Sequence, residues 1–294
     1  DPKVLEQALK LAEQIHEKKE SNRLSYYEPY EYQKNFHDAR DEQGTLARQR
    51  LLMAANKTGK TFCGAAEMAY HLTGEYPSWW KGYRFHGPIK AWAAGNTTAN
   101  TRDIVQAELF GEPGDDEDFG HGAIPKDKIV KWDRQPGIPN AISTVTVKHK
   151  SGRNSKVFMK SYEQGKQAWM GKAIDVIWMD EEPPQDIYSQ ALRASLKGGG
   201  LTFMTFTPES GMTNVVAQFM NDLKPHQQLY NATWDDAPHL DDEIKEEILA
   251  ALPPHERDMR SKGIPVLGSG LVFPVDENQI KRSAFAIPEH WSKV

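Results

Sequence analysis

The chain has a single cysteine, Cys63, among its 294 residues. Neither an internal disulfide framework nor a cysteine-based zinc site is available to it, and redox chemistry is disfavoured. No apolar run approaches the roughly 18–20 residues that cross a bilayer, and the start shows no basic segment followed by an apolar one. These absences read as a protein of a reducing, cytoplasmic compartment. Positive charge is not in excess either: 36 Lys and Arg face 41 Asp and Glu, a formal net charge of -5. Domains that grip nucleic acid with their whole surface are strongly basic, so only a local basic patch is left open. The histidines lack His-Glu-x-x-His spacing and there is no Gly-x-Ser-x-Gly elbow, which disfavours zinc- and serine-hydrolase chemistry. What remains is a soluble composition, 38% hydrophobic and 26% charged, on a chain long enough for one large domain or two modest ones. Beginning at Asp1 and ending at Val294, it reads as a fragment of something longer.

Apolar residues at Val4, Leu5, Ala8, Leu11, Ala12 and Ile15 predict an amphipathic helix over 1–20. An aromatic segment, Tyr27-Glu28-Pro29-Tyr30-Glu31-Tyr32-Gln33, reads as a loop entering a helix near Gln33. Then comes strand, turn and helix: an apolar run at 50–54, a turn at 55–59 and an Ala- and Met-rich helix over 60–72. Further strands are predicted at 89–94, 143–148, 156–161, 174–179 and 201–206, with helices after Asn100 and Gln185 and over 241–252. Such alternation implies an α/β fold around a mainly parallel sheet. Residues 111–122, acidic among glycines, read as a solvated loop; a calcium loop would need alternating ligands around a central glycine. No internal repeat or low-complexity tract interrupts the chain, and its tail, 263–294, holds turns and short apolar runs.

The sharpest local signal is Ala54-Ala55-Asn56-Lys57-Thr58-Gly59-Lys60-Thr61, a phosphate-binding loop whose first glycine has become alanine. Between a strand and a helix N-terminus, backbone N–H groups point at an anion, Lys60 can neutralise the β and γ phosphates of a nucleotide, and Thr61 can ligate Mg²⁺. A plain strand-to-helix turn is the bland alternative. It weakens because a second half is present, Ile174-Asp175-Val176-Ile177-Trp178-Met179-Asp180-Glu181-Glu182, a mostly apolar strand delivering carboxylates where the crevice of an open α/β sheet lies. Asp180 would hold the Mg²⁺ shell and Glu181 would orient and deprotonate the attacking water. Glu182, before Pro183-Pro184, caps or braces the turn. The strand 201–206 ends in hydroxyls, Thr205 and Thr207, placed to sense the γ-phosphate; threonines also simply suit strands. Gln33 offers a donor and acceptor matched to adenine N6 and N7, with Tyr30 available to stack or to pack in a core. Lys148, Lys150, Arg153, Lys156 and Lys160 gather on a predicted hairpin around Ser151-Gly152, either a soluble sheet edge or a contact for DNA phosphate or a neighbouring subunit.

Together, Tyr30-Glu31-Tyr32-Gln33, the loop 54–61, Trp178-Met179-Asp180-Glu181-Glu182-Pro183-Pro184 and Thr205-Phe206-Thr207-Pro208 resemble the large terminase subunit of tailed bacteriophages, in the branch from short-tailed, headful-packaging phages. The resemblance runs over nearly the whole chain, including residues 65–77 and Lys262-Gly263-Ile264-Pro265. It implies a RecA-like P-loop ATPase core with an additional strand between the two nucleotide motifs, over 1–212 with its N-terminal helical extension. A small helical lid and a linker toward an absent nuclease domain would follow over 213–294. It further implies ATP and Mg²⁺ as cofactors, with Ala55, Asn56, Lys57, Thr58, Gly59, Lys60 and Thr61 forming the loop. The expected work is ATP-driven translocation of double-stranded DNA into a procapsid in the host cytoplasm, with portal protein, small terminase subunit and ring self-association as partners. A helicase-like ATPase and a nucleotide switch without turnover are the alternatives. The sequence departs from the family where an arginine is common in the loop, having Asn56 and Lys57 there. A trans-acting arginine before the Asp-Glu strand is not evident, with Lys166, Lys172 and Arg193 as candidates.

Overall fold

In a computed structural model of the chain, the residues described are 2–40, 44–196 and 198–265. Helices α1 (Pro2–Ser21) and α2 (Glu31–Asp38) lead into strand β1 (Gln49–Ala54) and helix α3 (Lys60–Thr73). After β2 (Lys90–Gly95) the chain forms α4 (Thr98–Asn100), a π-helical turn (Thr101–Gln106) and α5 (Ala107–Phe110). Strands β3 (Ile129–Arg134), β4 (Ile142–Lys148), β5 (Asn154–Ser161) and β6 (Val176–Asp180) follow, then α6 (Gln185–Leu196) and β7 (Leu201–Phe206). The described part closes with α7 (Asn214–Asn221), β8 (Gln227–Ala232), α8 (Asp242–Ala251) and α9 (Arg257–Lys262).

Among the described residues, the eight strands form one sheet in the order β3-β4-β5-β2-β6-β7-β1-β8. From β5 to β8 every pairing is parallel, and β3-β4-β5 form an antiparallel flank. The mainly parallel α/β architecture is thus the expected one, with β7 inserted between β6 and β1. Burial explains the arrangement. Along β1, Leu52 and Ala54 enter the core on the α3 side while Leu51 and Met53 enter the core containing α6 and α7 residues. Alternate side chains face opposite ways along a strand, so an apolar run with both faces covered reads as a central parallel strand. Helix α3 lies so close to β6 that a Cβ on Gly64 would fall 2.5 Å from the Trp178 ring.

Two strands carry no sequence signal of the kind used above. In β3 all residues after Ile129 are exposed, as suits an edge strand, and β8, QQLYNA, is polar yet pairs with β1 along its whole length. Within residues 213–232, where the lid subdomain is expected to open, α7 packs in the core that also holds α6, and β8 joins the sheet beside β1. The expected tail from 266 lies outside the described residues. The hairpin around Ser151-Gly152 is present, and Lys148, Lys150, Arg153 and Lys156 on it are exposed. Lys160 leaves that set: its Nζ donates to the Ala168 carbonyl at 2.7 Å and lies 5.3 Å from the Trp92 ring centroid, so its charge is committed inward.

Candidate phosphate-binding and catalytic site

The three elements singled out by sequence meet at the C-terminal ends of β1, β6 and β7, adjacent strands of the parallel region. Beyond Ala54 the chain turns through Asn56, Lys57 (φ 61°) and Thr58 to Gly59, whose φ of 89° is the left-handed conformation that glycine adopts without a Cβ penalty. Lys60 then opens α3 directly. The first-turn N–H groups of a helix have no intrahelical partner, and they gather at the loop with the positive end of the helix dipole. Thr61 is half-buried in that first turn and Lys60 is buried.

Opposite the loop, Asp180 ends β6 with 1% of its surface exposed. Burial first, and then the neighbouring Glu181 charge, push its carboxyl up to about 7, while the Thr205 hydroxyl and the Lys60 ammonium pull the other way. Burial likewise raises Glu181 above the ordinary carboxylate range, again opposed by Lys60. Both acids therefore feel one lysine from the phosphate loop. Thr205 Oγ1 donates to Asp180 Oδ1 at 2.7 Å and accepts from Trp178 Nε1 at 2.8 Å. Glu182 braces the turn as expected, accepting a hydrogen bond from the Thr213 hydroxyl at the start of α7.

Several expected ligand contacts go to the protein itself. Gln33, expected to read adenine, is 3% exposed; its Oε1 accepts from the Tyr30 N–H at 2.9 Å and its Nε2 donates to the Gly59 carbonyl at 3.3 Å. Its amide is a clasp between α2 and the loop, reinforced by the Tyr32 hydroxyl on the Thr58 carbonyl. Thr205 is fully buried against Asp180, and Thr207 Oγ1 lies 2.7 Å from both the Ala54 carbonyl and Asn56 Oδ1, so both hydroxyls set the site's walls. Tyr30 does stack, on His239, with ring centroids 5.8 Å apart and planes 6° apart.

That contact belongs to a brace that no sequence motif marks. His239 Nε2 lies 2.8 Å from the Lys57 carbonyl, which can only accept, so Nε2 carries the proton and Nδ1 accepts from the Tyr30 hydroxyl. Trp234 Nε1 donates to the Asn56 carbonyl at 2.8 Å. The Ala55 and Asn56 N–H groups donate to the Ala232 and Arg260 carbonyls, each at 2.9 Å. Residues 232–260 thus hold the first half of the loop through its backbone, which leaves the second half and the α3 terminus to face an anion.

A model of the terminase large subunit N-terminal domain, T4likevirus-type, matches residues 51–280. The chain belongs to the large terminase subunit family. This terminase chain is 37% identical over 300 residues to the large terminase subunit of Salmonella phage P22, an alignment covering 96% of the chain and 59% of that relative. It therefore spans about three fifths of the P22 subunit's length. Among solved structures, the Thermus phage P74-26 large terminase ATPase domain superposes with a TM-score of 0.54 at 17% identity, covering 83% of this chain and 96% of that one. The large terminase of the thermophilic bacteriophage D6E superposes at 0.63 and 13% identity, over 85% of this chain and 57% of that one. These likenesses agree with the RecA-like α/β core of the terminase fold.

Among the described residues, no group of three or more His, Cys, Asp or Glu could hold a metal ion unaided. Asp180 and Thr61 supply two oxygen donors, which suits Mg²⁺, an ion usually held by one or two protein oxygens together with water and phosphate oxygens. The elevated Asp180 carboxyl fits such a cation electrostatically, since a divalent charge beside it would favour its ionised form.

Proposed function

We propose that this chain is the motor ATPase domain of a viral DNA-packaging terminase, hydrolysing ATP to translocate double-stranded DNA into a procapsid. The observation that carries the reading is the pair of carboxyls at the end of β6, buried Asp180 and half-buried Glu181, set against Lys60 of the loop after β1 with β7 between the two strands. In this reading the backbone of Ala55, Asn56, Lys57, Thr58 and Gly59 shapes the phosphate cradle and Lys60 neutralises the β and γ phosphates. Thr61 and Asp180 would hold Mg²⁺, which when bound would offset charge on the phosphate oxygens. Glu181 accepts a proton from water as the water oxygen attacks the γ-phosphorus; the bond between that phosphorus and the bridging oxygen breaks, and ADP departs with the electron pair. Burial supports this role, because a carboxyl raised above its ordinary range is a stronger base at neutral pH. Thr205 and Thr207 connect Asp180 and Asn56 to β7, so displacement of either motif reaches the strand between them. Tyr30, with His239, presents an aromatic pair beside the loop for the nucleotide base.

Portal protein, small terminase subunit and a ring of like chains are the partners this function requires, and the host cytoplasm is where it would act. Among the described residues no helix is long and apolar enough to cross a membrane. Glu181→Gln tests the core of the proposal. The variant should retain ATP affinity within about twofold and lose hydrolysis by on the order of 100-fold or more, the usual worth of a positioned general base. Equilibrium nucleotide binding beside phosphate release measures both; unchanged turnover would refute the base assignment, and a parent chain that binds ATP without turnover would make it a switch.

A further inference from the structure

Glu181 has a φ of 62°, a left-handed conformation that a residue with a Cβ adopts only at a cost and only where its surroundings impose it. Two groups impose it here. Its N–H donates to the Thr205 carbonyl at 3.1 Å, extending the β6–β7 pairing by one step. On the other side the β2–β6 pairing has ended, Ala94 with Met179 being its last pair, so that pairing does not extend to the carbonyls that follow. There the Tyr162 hydroxyl lies 2.9 Å from the Asp180 carbonyl and 3.0 Å from the Glu181 carbonyl, a shared hydrogen bond across the peptide that joins the two acids. Tyr162 follows the last residue of β5 and is itself immobilised. It is buried, its ring packs 6.0 Å from Trp169, and Trp169 packs edge-on to Trp92 at 5.3 Å.

We propose that Tyr162 is a positioning residue for ATP hydrolysis, its hydroxyl holding the Asp180–Glu181 peptide so that the Glu181 carboxylate faces Lys60 and the reacting phosphate. The inference rests on the reading of Glu181 as the base. Tyr162 touches neither substrate nor metal; its one oxygen acts where the β2–β6 pairing stops. Loss of the hydroxyl frees the Glu181 backbone to relax toward an ordinary extended or helical conformation, which swings the carboxylate off its line while leaving the phosphate loop intact. The predicted signature is a loss in kcat without a loss in affinity.

The experiment compares the 294-residue chain with its Tyr162→Phe, Glu181→Gln and doubly substituted forms in steady-state and single-turnover ATP hydrolysis, with nucleotide affinity and thermal midpoint measured alongside. Tyr162→Phe keeps the ring and should lower kcat about tenfold while KM and nucleotide affinity stay within twofold. In the Glu181→Gln background the same substitution should change residual hydrolysis by less than twofold, because no base remains to be positioned. A kcat unchanged by Tyr162→Phe while Glu181→Gln abolishes turnover overturns the proposal and leaves the base assignment standing. So does a loss that persists in full in the double variant, or one matched by equal loss of affinity, since both mark a general structural effect. Full turnover by Glu181→Gln overturns the base assignment and the proposal with it. Tyr162→Met, which also lacks the hydroxyl, must repeat the kcat loss if the phenylalanine form folds poorly; normal kcat in a folded Met variant likewise overturns the proposal.

Discussion

Beneath the phosphate loop lies a buried charge cluster, and Glu67→Gln is its most informative perturbation. Glu67, on α3, receives Arg50 Nη2 at 2.6 Å and His71 Nε2 at 2.9 Å on one oxygen, and His37 Nδ1 at 2.6 Å on the other. Burial pushes this carboxyl up, but Arg50 and the hydrogen bonds from His37 and His71 overcome it and hold Glu67 well below the ordinary carboxylate range. Arg50 is 2% exposed, so removing its counter-charge strands a guanidinium in the core. Breaking a buried pair by deleting one partner costs about 3–5 kcal/mol, a large part of a typical stability of roughly 5–15 kcal/mol. At about 2–4 °C per kcal/mol for a domain of this size, the midpoint should fall by roughly 6–20 °C at pH 7.5. Arg50→Met alone should cost a similar amount. The combination Glu67→Gln with Arg50→Met should fall at least about 2 kcal/mol short of the sum of its two single costs, because it leaves no unpaired charge. The sign of the pH dependence is fixed: a depressed carboxyl stabilises above its unfolded value of about 4.3, and that stabilisation is lost as pH falls through the folded value. The gap between the parent chain and Glu67→Gln should therefore be constant from pH 7 to 8 and narrow below about pH 4. Urea unfolding of the four forms tests this; additive costs, or a gap that widens on acidification, would refute the coupled-charge account.

Two glycines make further tests. Gly64→Ala should destabilise the chain by about 1–3 kcal/mol despite alanine's better helix propensity, because its Cβ would meet the Trp178 ring at 2.5 Å; chemical denaturation measures it. Gly263, at φ 65° after α9, has the Ala54 carbonyl carbon 2.8 Å and the Ala55 nitrogen 2.9 Å from where a Cβ would lie. Gly263→Ala should push α9 away from the loop, break the hydrogen bond from the Asn56 N–H to the Arg260 carbonyl and weaken ATP binding about tenfold, the worth of one such bond. Unchanged affinity by calorimetry would show that the loop keeps its shape without α9.

What was legible in the sequence, and what was not, divides by the range of the physics involved. The loop 54–61 and the Asp180-Glu181 strand end are written locally, since glycine at a left-handed turn, lysine at a helix start and acids after an apolar run each need only their neighbours. The six strands with apolar runs were legible for the same reason; each lies within two residues of its expected start and one of its expected end. β8 was not, because QQLYNA is held by pairing with β1, and only the folded sheet supplies that partner. Gln33 illustrates the limit most sharply. Its side chain has the hydrogen-bonding pattern that suits adenine, and composition cannot tell that the fold also brings a glycine carbonyl and a tyrosine N–H to it. The brace from residues 232–260 and the Tyr162 contact act on backbone carbonyls, which every residue possesses, so no choice of side chain at the receiving end records them. The residues that chemistry requires by type can thus be read before folding, whereas those that hold the chemistry in place are defined by what the fold leaves unpaired.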